Sequence, residues 1–107
     1  MKSMLPGEET FETFLNEVNT KERQETLKDL GKSDSLRLDT FVIDEILGFE
    51  VFTSDKKIIG TIPAKKSITL EVGMGRGLEP YVIDYIVIKD EEGIFTCNVT
   101  IGLKYQE

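Results

Sequence analysis

The chain has no histidine, no tryptophan and only one cysteine, Cys97. Without histidine, neither a serine nor a cysteine nucleophile has its usual base, which excludes most active sites that can be recognised from sequence. A single cysteine cannot form an internal disulfide, as is typical of proteins from reducing compartments. No spacing of carboxylates or thiols matches a metal-binding loop. We therefore expect no intrinsic catalysis, no cofactor and no metal site.

Long apolar runs are also missing. The residues before Glu8 lack the apolar stretch of about 7 to 15 residues that a secretory signal needs, so we expect a cytoplasmic protein that does not enter a membrane. Hydrophobic residues make up 39% and charged residues 31% of the 107 residues, a balance typical of a soluble globular protein. This length predicts a single domain over residues 1–107.

The first third of the chain has the apolar spacing of a helix. Four apolar side chains fall at i, i+3, i+4 and i+7, namely Phe11, Phe14, Leu15 and Val18. A helix would place them on one face. A second short helix is expected near residues 20–30, with Asn19 and Glu22 as a capping pair. We therefore predict a helical segment over residues 1–31.

From Leu36 onward, β-branched and aromatic residues dominate, which predicts strands. We place six strands, at residues 36–44, 47–54, 57–63, 67–74, 81–89 and 94–105. The polar segments 53–56 and 90–93 have the composition of hairpin turns. The expected fold class is therefore α+β. It consists of an N-terminal helical segment (one or two short helices), followed over residues 36–107 by a mainly antiparallel, curled five- or six-stranded sheet or small barrel.

The apolar patterns of the strands 94–105 and 81–88 predict which of their faces are buried. The last strand places six apolar side chains on one face, which predicts a buried face: Phe95, Cys97, Val99, Ile101, Leu103 and Tyr105. Cys97 is then a small core residue with a raised pKa. Residues 81–88 are apolar on both faces except at Asp84. We expect this strand to be central or to lie at an interface, with Asp84 either facing solvent at a bulge or paired with a basic side chain.

The net charge of −7 opposes non-specific attraction to nucleic acid phosphates. Residues 56–78 are the exception, because they carry five basic residues and only one acidic residue. Four lysines lie at the two ends of the expected strand 57–63, namely Lys56, Lys57, Lys65 and Lys66. Such lysines either protect an exposed strand edge or form a basic strip that follows a nucleic acid backbone.

Three glycines alternate with other residues in the segment Gly73-Met74-Gly75-Arg76-Gly77. We interpret this segment as a loop at the end of the strand 67–74. Glycine amides in such a loop can bind an anion, and Arg76 would add a forked donor; the alternative is a plain connection between strands. The candidate partner-binding residues are therefore Arg76, Lys56, Lys57, Lys65 and Lys66.

The segment Lys56 to Pro63 ends in Gly-Thr-Ile-Pro. In this ending it is similar to a strand of HIRAN-type domains, which bind DNA ends. The likeness is confined to this segment, and an acidic stretch stands upstream where those domains have aromatic and basic residues. No functional residue is carried over from that family.

A small, acidic chain without a recognisable catalytic set favours a protein-binding module, namely an adaptor, inhibitor or assembly factor of a kind found in bacteria and prophages. We therefore expect a protein partner, and the doubly apolar strand 81–88 makes a homodimer a further option. One alternative is a small β-barrel that binds nucleic acid or an anion through residues 56–76. A second alternative is a histidine-free enzyme that uses carboxylate, lysine or tyrosine side chains.

Overall fold

The structure is a computed structural model and describes residues 9–31 and 35–105. Six strands and two helices follow one another in the described residues: β1 (Glu9–Phe14), α1 (Lys21–Asp29), β2 (Leu36–Ile43), β3 (Ile46–Thr53), β4 (Ile58–Thr61), α2 (Ala64–Gly75), β5 (Leu78–Lys89) and β6 (Phe95–Tyr105). They form two antiparallel sheets of three strands each. Sheet 1 has the order β1-β6-β5, and sheet 2 has the order β2-β3-β4.

The order strand, helix, strand, strand occurs twice along the described chain. The first half runs from β1 to β3 and the second half from β4 to β6. Each sheet consists of a hairpin from one half and a single strand from the other half, because β1 pairs with β6 and β4 pairs with β3. A bridge between Asn16 and Thr61 joins the two sheets through reciprocal backbone hydrogen bonds of 2.8 and 2.9 Å. Neither half can therefore complete its sheet without the other.

The predicted N-terminal helical segment was wrong in its first part. Residues 9–14 form β1, in which Phe11 lies opposite Ile101 of β6. Phe14 points to the other side of the sheet and is 51% exposed, so the helix-like spacing of these residues is coincidental. A helix does lie near residues 20–30, namely α1, but it follows a strand and is not N-terminal. Its N-cap is Thr20 rather than Asn19, because the Thr20 hydroxyl accepts a hydrogen bond of 3.2 Å from the Arg23 amide.

The predicted strand at residues 67–74 was also wrong, since these residues belong to α2. The face that α2 buries consists of Ser67, Leu70 and Gly73, which follow the spacing of a helix. Ile68 and Val72, which suggested strand alternation, lie on the exposed side. The other strand predictions agree with β2, β3, β4, β5 and β6 to within three residues at each end.

The expected curled sheet or small barrel was wrong in one further respect, because the two sheets do not close. β2 and β5 lie close together but share no hydrogen-bonded ladder. β5 is consequently one of the two edge strands of sheet 1 and not a central strand. The alternative, that the strand 81–88 lies at an interface, stays a prediction, as do the single domain and the homodimer.

The core lies between the inner faces of the two sheets and the buried sides of both helices. Sheet 1 contributes four neighbouring positions of β6 that are 0 to 2% exposed: Cys97, Val99, Ile101 and Leu103. Phe49, Val51 and Ile59 from sheet 2 are also fully buried, as are Leu27 of α1 and Leu70 of α2. The predicted buried face of the last strand is confirmed at these four positions, whereas Tyr105 is exposed.

Within the described residues, neither helix has the length and apolar character needed to cross a membrane.

Candidate functional site

In the part of the chain that the structure describes, the largest group of exposed apolar side chains on one face lies on the outer face of sheet 1. β5 presents Tyr81, Ile83, Ile86 and Ile88 on this face, and β1 presents Phe14. Ile86 is 62% exposed and the others are 37 to 51% exposed. Their register fixes them in rows across the sheet, since Ile86 and Phe14 both pair with Asn98 of β6. Exposed apolar side chains grouped on one face in this way are typical of interaction sites.

The middle strand of this face carries small or short side chains. The outward positions of β6 are Thr96, Asn98, Thr100 and Gly102, followed by Lys104. Tyr81 and Ile83 lie directly over Gly102, because a Cβ atom at that position would come within 2.8 Å of both side chains. The Lys104 ammonium lies 4.6 Å from the centroid of the Tyr81 ring. The face is therefore a shallow trough along β6, with the β5 side chains as its apolar wall, and Tyr81 and Ile83 cover its floor at Gly102.

Two carboxylates cross the middle of the trough. The β-bulge between Val82 and Asp84 turns Asp84 outward into register with Thr100, and Glu12 of β1 pairs with the same Thr100 from the other side. The Asp84 carboxylate also accepts a hydrogen bond of 2.8 Å from the Tyr85 amide. The expectation that Asp84 faces solvent at a bulge is thus confirmed. Among residues 9–31 and 35–105, the outer face carries three carboxylates, Glu12, Glu79 and Asp84, and one ammonium, that of Lys104.

The basic residues selected from the sequence are spread over three places. Lys56 and Lys57 precede β4, whereas Lys65 and Lys66 lie in the first turn of α2, beyond the far end of that strand. The four residues of β4 span about 13 Å. Arg76 lies at the C-terminal end of α2, about 15 Å from Lys66 along the helix. The Lys66 ammonium also lies 5.3 Å from the centroid of the Phe11 ring. These side chains do not form one continuous strip.

The interpretation of residues 73–77 as a loop after a strand was wrong, because Gly73 to Gly75 are the last residues of α2, and Arg76 and Gly77 form the turn that ends it. The amides of Arg76 and Gly77 each donate a hydrogen bond of 3.0 Å to helix carbonyl oxygens, those of Gly73 and Met74. Gly77 has a φ of +88°, which glycine adopts readily after a helix. Since both amides are used within the chain, they do not form an anion-binding concavity.

Lys56 and Lys57 line an open cleft of about 960 Å³ between α1 and the turn from β3 to β4. Its charged lining also includes Lys21, Glu22, Arg23, Glu25, Asp29 and Asp55. The lining carries charges of both signs, so the cleft does not present the uniformly positive surface that would attract a phosphate backbone. Among residues 9–31 and 35–105, no three cysteine, aspartate or glutamate side chains are grouped as metal ligands.

Sequence reasoning did not select the outer face of sheet 1 as a site. The available signal was the strand 81–88, apolar on both faces, which we expected to be central or at an interface. The Phe14 contribution could not be recognised, because β1 was predicted as a helix. The pairing of β1 with β6 joins residues about 90 positions apart in the chain, and no local pattern encodes it.

No protein-family model, no curated protein and no solved structure matches the chain.

Proposed function

We propose that the chain is a small protein-binding module, acting as an adaptor, inhibitor or assembly factor, and that it binds its partner through the outer face of sheet 1. The observation that carries the proposal is the set of five large apolar side chains on one sheet face: Phe14, Tyr81, Ile83, Ile86 and Ile88. Nothing among the described residues covers this set. A partner would remove it from water.

Burial of these side chains would contribute substantially to the free energy of binding. Burying a large apolar side chain completely contributes about 1.5 to 3 kcal/mol. Covering the exposed half of five such side chains would then contribute on the order of 5 kcal/mol, which offsets part of the cost of association. The face is held by hydrogen-bonded pairing on both sides of β6, so little ordering is needed on binding.

Two smaller apolar groups are less suited to this role. Val42, Ile43 and Ile46 surround the turn between β2 and β3, and Ile68 and Val72 lie on α2. Each group is smaller and comes from a single hairpin or helix, whereas the outer face of sheet 1 combines two strands on either side of a third. Ile68 is nevertheless useful as a control, because it is 61% exposed and thus closely matches Ile86 at 62%.

Affinity capture from an extract of the native source, treated with nuclease, tests the proposal. The immobilised chain is compared with the variants Ile86→Ser and Ile68→Ser, after thermal unfolding has shown that all three are folded. We expect a protein that the unaltered chain and Ile68→Ser retain and that Ile86→Ser loses. Equal retention by both variants would contradict the proposed face, and capture that disappears with nuclease would favour the nucleic-acid alternative.

A further inference from the structure

The charges of the outer face of sheet 1 specify the chemistry of its partner. Glu12 and Asp84 stand on either side of Thr100, at the centre of the trough. Apolar side chains lie on both sides of this acidic row: Tyr81 and Ile83 towards one end, and Phe14, Ile86 and Ile88 towards the other. A complementary surface has basic side chains flanked by apolar ones. The net charge of −7 would steer such a partner towards the chain.

The dimensions of the trough fit a helix. Strands lie about 4.8 Å apart, so the outer-face side chains of β1 and β5 are separated by about 10 Å across β6. A helix with its side chains is about 10 to 12 Å wide, so one helix lying on β6 covers both rows. β1 accompanies β6 over six residues, Asn98 to Leu103, so both rows are present over about 20 Å. A helix that lies along β6 would contact the β5 wall on one side and β1 on the other.

The edge of β5 is poorly suited to the addition of a strand. Pro80 lacks a backbone N–H, and the bulge between Val82 and Asp84 interrupts the ladder near the middle of the strand. Both features oppose edge pairing. A second copy of the chain centred on Thr100 is also disfavoured, because it would bring Glu12 and Asp84 of one copy towards the same carboxylates of the other.

We infer that the outer face of sheet 1 binds a basic amphipathic helix of a partner protein, with its lysine or arginine side chains between Glu12 and Asp84. This inference rests on the proposed function, since it assigns a partner to the same face. It differs from the proposal in specifying both the charge and the secondary structure of the partner.

Two model peptides test the inference. Both are 18-residue amphipathic helices with leucines at identical positions, but one has lysine and the other glutamate at its polar positions. Binding is measured by fluorescence anisotropy, and backbone amide shifts locate the peptide on the chain. We expect the lysine peptide to bind at least tenfold more tightly than the glutamate peptide, to shift amides of β1, β5 and β6, and to remain helical.

Two pairs of variants distinguish binding at this face from a general attraction of the lysine peptide to the negatively charged chain. The double variant Glu12→Gln with Asp84→Asn should weaken lysine-peptide binding at least fivefold, and Ile86→Ser should weaken it similarly. The controls, Glu25→Gln with Glu45→Gln and Ile68→Ser, should stay within twofold of the unaltered chain. Both control carboxylates are exposed and lie outside sheet 1.

Several results would overturn the inference: no binding of the lysine peptide, equal weakening by both charge pairs, binding as a strand at the β5 edge, or self-association of the chain through this face. The capture experiment keeps these failures apart from failure of the proposed function. If capture of a native protein still depends on Ile86 but the lysine peptide does not bind, the proposed face is supported and only the basic helical partner is contradicted. If capture does not depend on Ile86 either, the proposed function and the inference are both contradicted.

Discussion

Asp44 and Glu45 form the two-residue turn between β2 and β3, and both have positive φ, 51° and 67°. Positive φ at both positions is typical of a type I′ turn, where glycine is favoured at the second position. The left-handed conformation costs a non-glycine residue about 1 to 2 kcal/mol, and part of this is offset because glycine is more flexible when unfolded. We expect Glu45→Gly to raise the free energy of unfolding by about 0.5 to 1 kcal/mol in urea titrations.

The same substitution elsewhere provides the control. Glu91 lies in the turn between β5 and β6 and does not have a positive φ. Glu91→Gly should therefore leave the stability unchanged or lower it. If Glu91→Gly stabilised the chain as much as Glu45→Gly, relief of turn strain would not be the cause.

Cys97 is fully buried on the inner face of β6, and this burial raises its pKa from 9.0 to about 12. The thiol therefore stays protonated in the folded chain at pH values where the unfolded chain ionises it. Its contribution to stability is complete below about pH 9 and is lost as the pH rises from about 9 to about 12. We expect Cys97→Ala to lower stability near pH 7 by about 1 to 2 kcal/mol, because it leaves a small cavity.

The pH dependence identifies the thiol itself. The stability difference between the unaltered chain and Cys97→Ala should shrink as the pH is raised from 9 towards 11, measured by urea unfolding at each pH. The other ionisable groups are common to both proteins and cancel in this difference. A difference that stays constant over this range would contradict a buried, protonated thiol.

At the scale of elements, one side chain links α1 to sheet 1. The Gln24 amide nitrogen donates to the carbonyl oxygens of Phe95 (2.8 Å) and Val18 (3.0 Å), and its oxygen accepts from the Phe95 amide (2.8 Å). Gln24→Glu keeps the size but loses both donors. We expect it to cost about 1 to 3 kcal/mol near pH 7, and less near pH 4, where a protonated carboxyl group can donate again.

Urea unfolding at both pH values measures this effect, and the exposed neighbour Glu25 supplies the control. Glu25→Gln should change the stability by no more than about 0.5 kcal/mol. A Gln24→Glu variant as stable as the unaltered chain at pH 7 would show that the link between α1 and β6 contributes nothing.

The glycines of α2 have opposite roles. A Cβ atom on Gly73 would lie 2.9 Å from Leu103, which is buried, whereas one on Gly75 would meet nothing within 4 Å. Gly73→Ala should therefore destabilise the chain by about 1 to 3 kcal/mol, because it forces α2 away from β6. Gly75→Ala should stabilise it by about 0.5 to 1 kcal/mol, since alanine favours helix. Equal effects in thermal unfolding would contradict this packing.

The two elements that sequence reasoning missed have a common cause. β1 is short, and its pairing partner β6 lies at the far end of the chain, so the local spacing of Phe11, Leu15 and Val18 favoured a helix. In α2, close packing selects the small residues Ser67 and Gly73, while Ile68 and Val72 face water. Where contacts distant in sequence determine which side is buried, the apolar pattern of a short segment does not report its secondary structure.

At the scale of the whole molecule, the exchange of β1 and β4 between the two halves produces the outer face of sheet 1. The hairpin of β5 and β6 supplies the apolar wall and the floor of the trough, but Phe14 and Glu12 come from β1. The sequence shows the apolar character of β5 and the excess of negative charge. It does not show that a strand from the first half completes the face, because sheet order is not encoded locally.

Site-specific photo-crosslinking tests the central claim, that the outer face of sheet 1 contacts a partner, most directly. A photoreactive amino acid replaces Ile86 in one variant and Ile68 in another, and both are irradiated in an extract of the native source. Because the two positions are equally exposed, they sample the extract equally by chance. We predict a discrete protein adduct from position 86, several-fold stronger than any from position 68. Absence of an adduct from position 86, or equal adducts from both positions, would contradict the account.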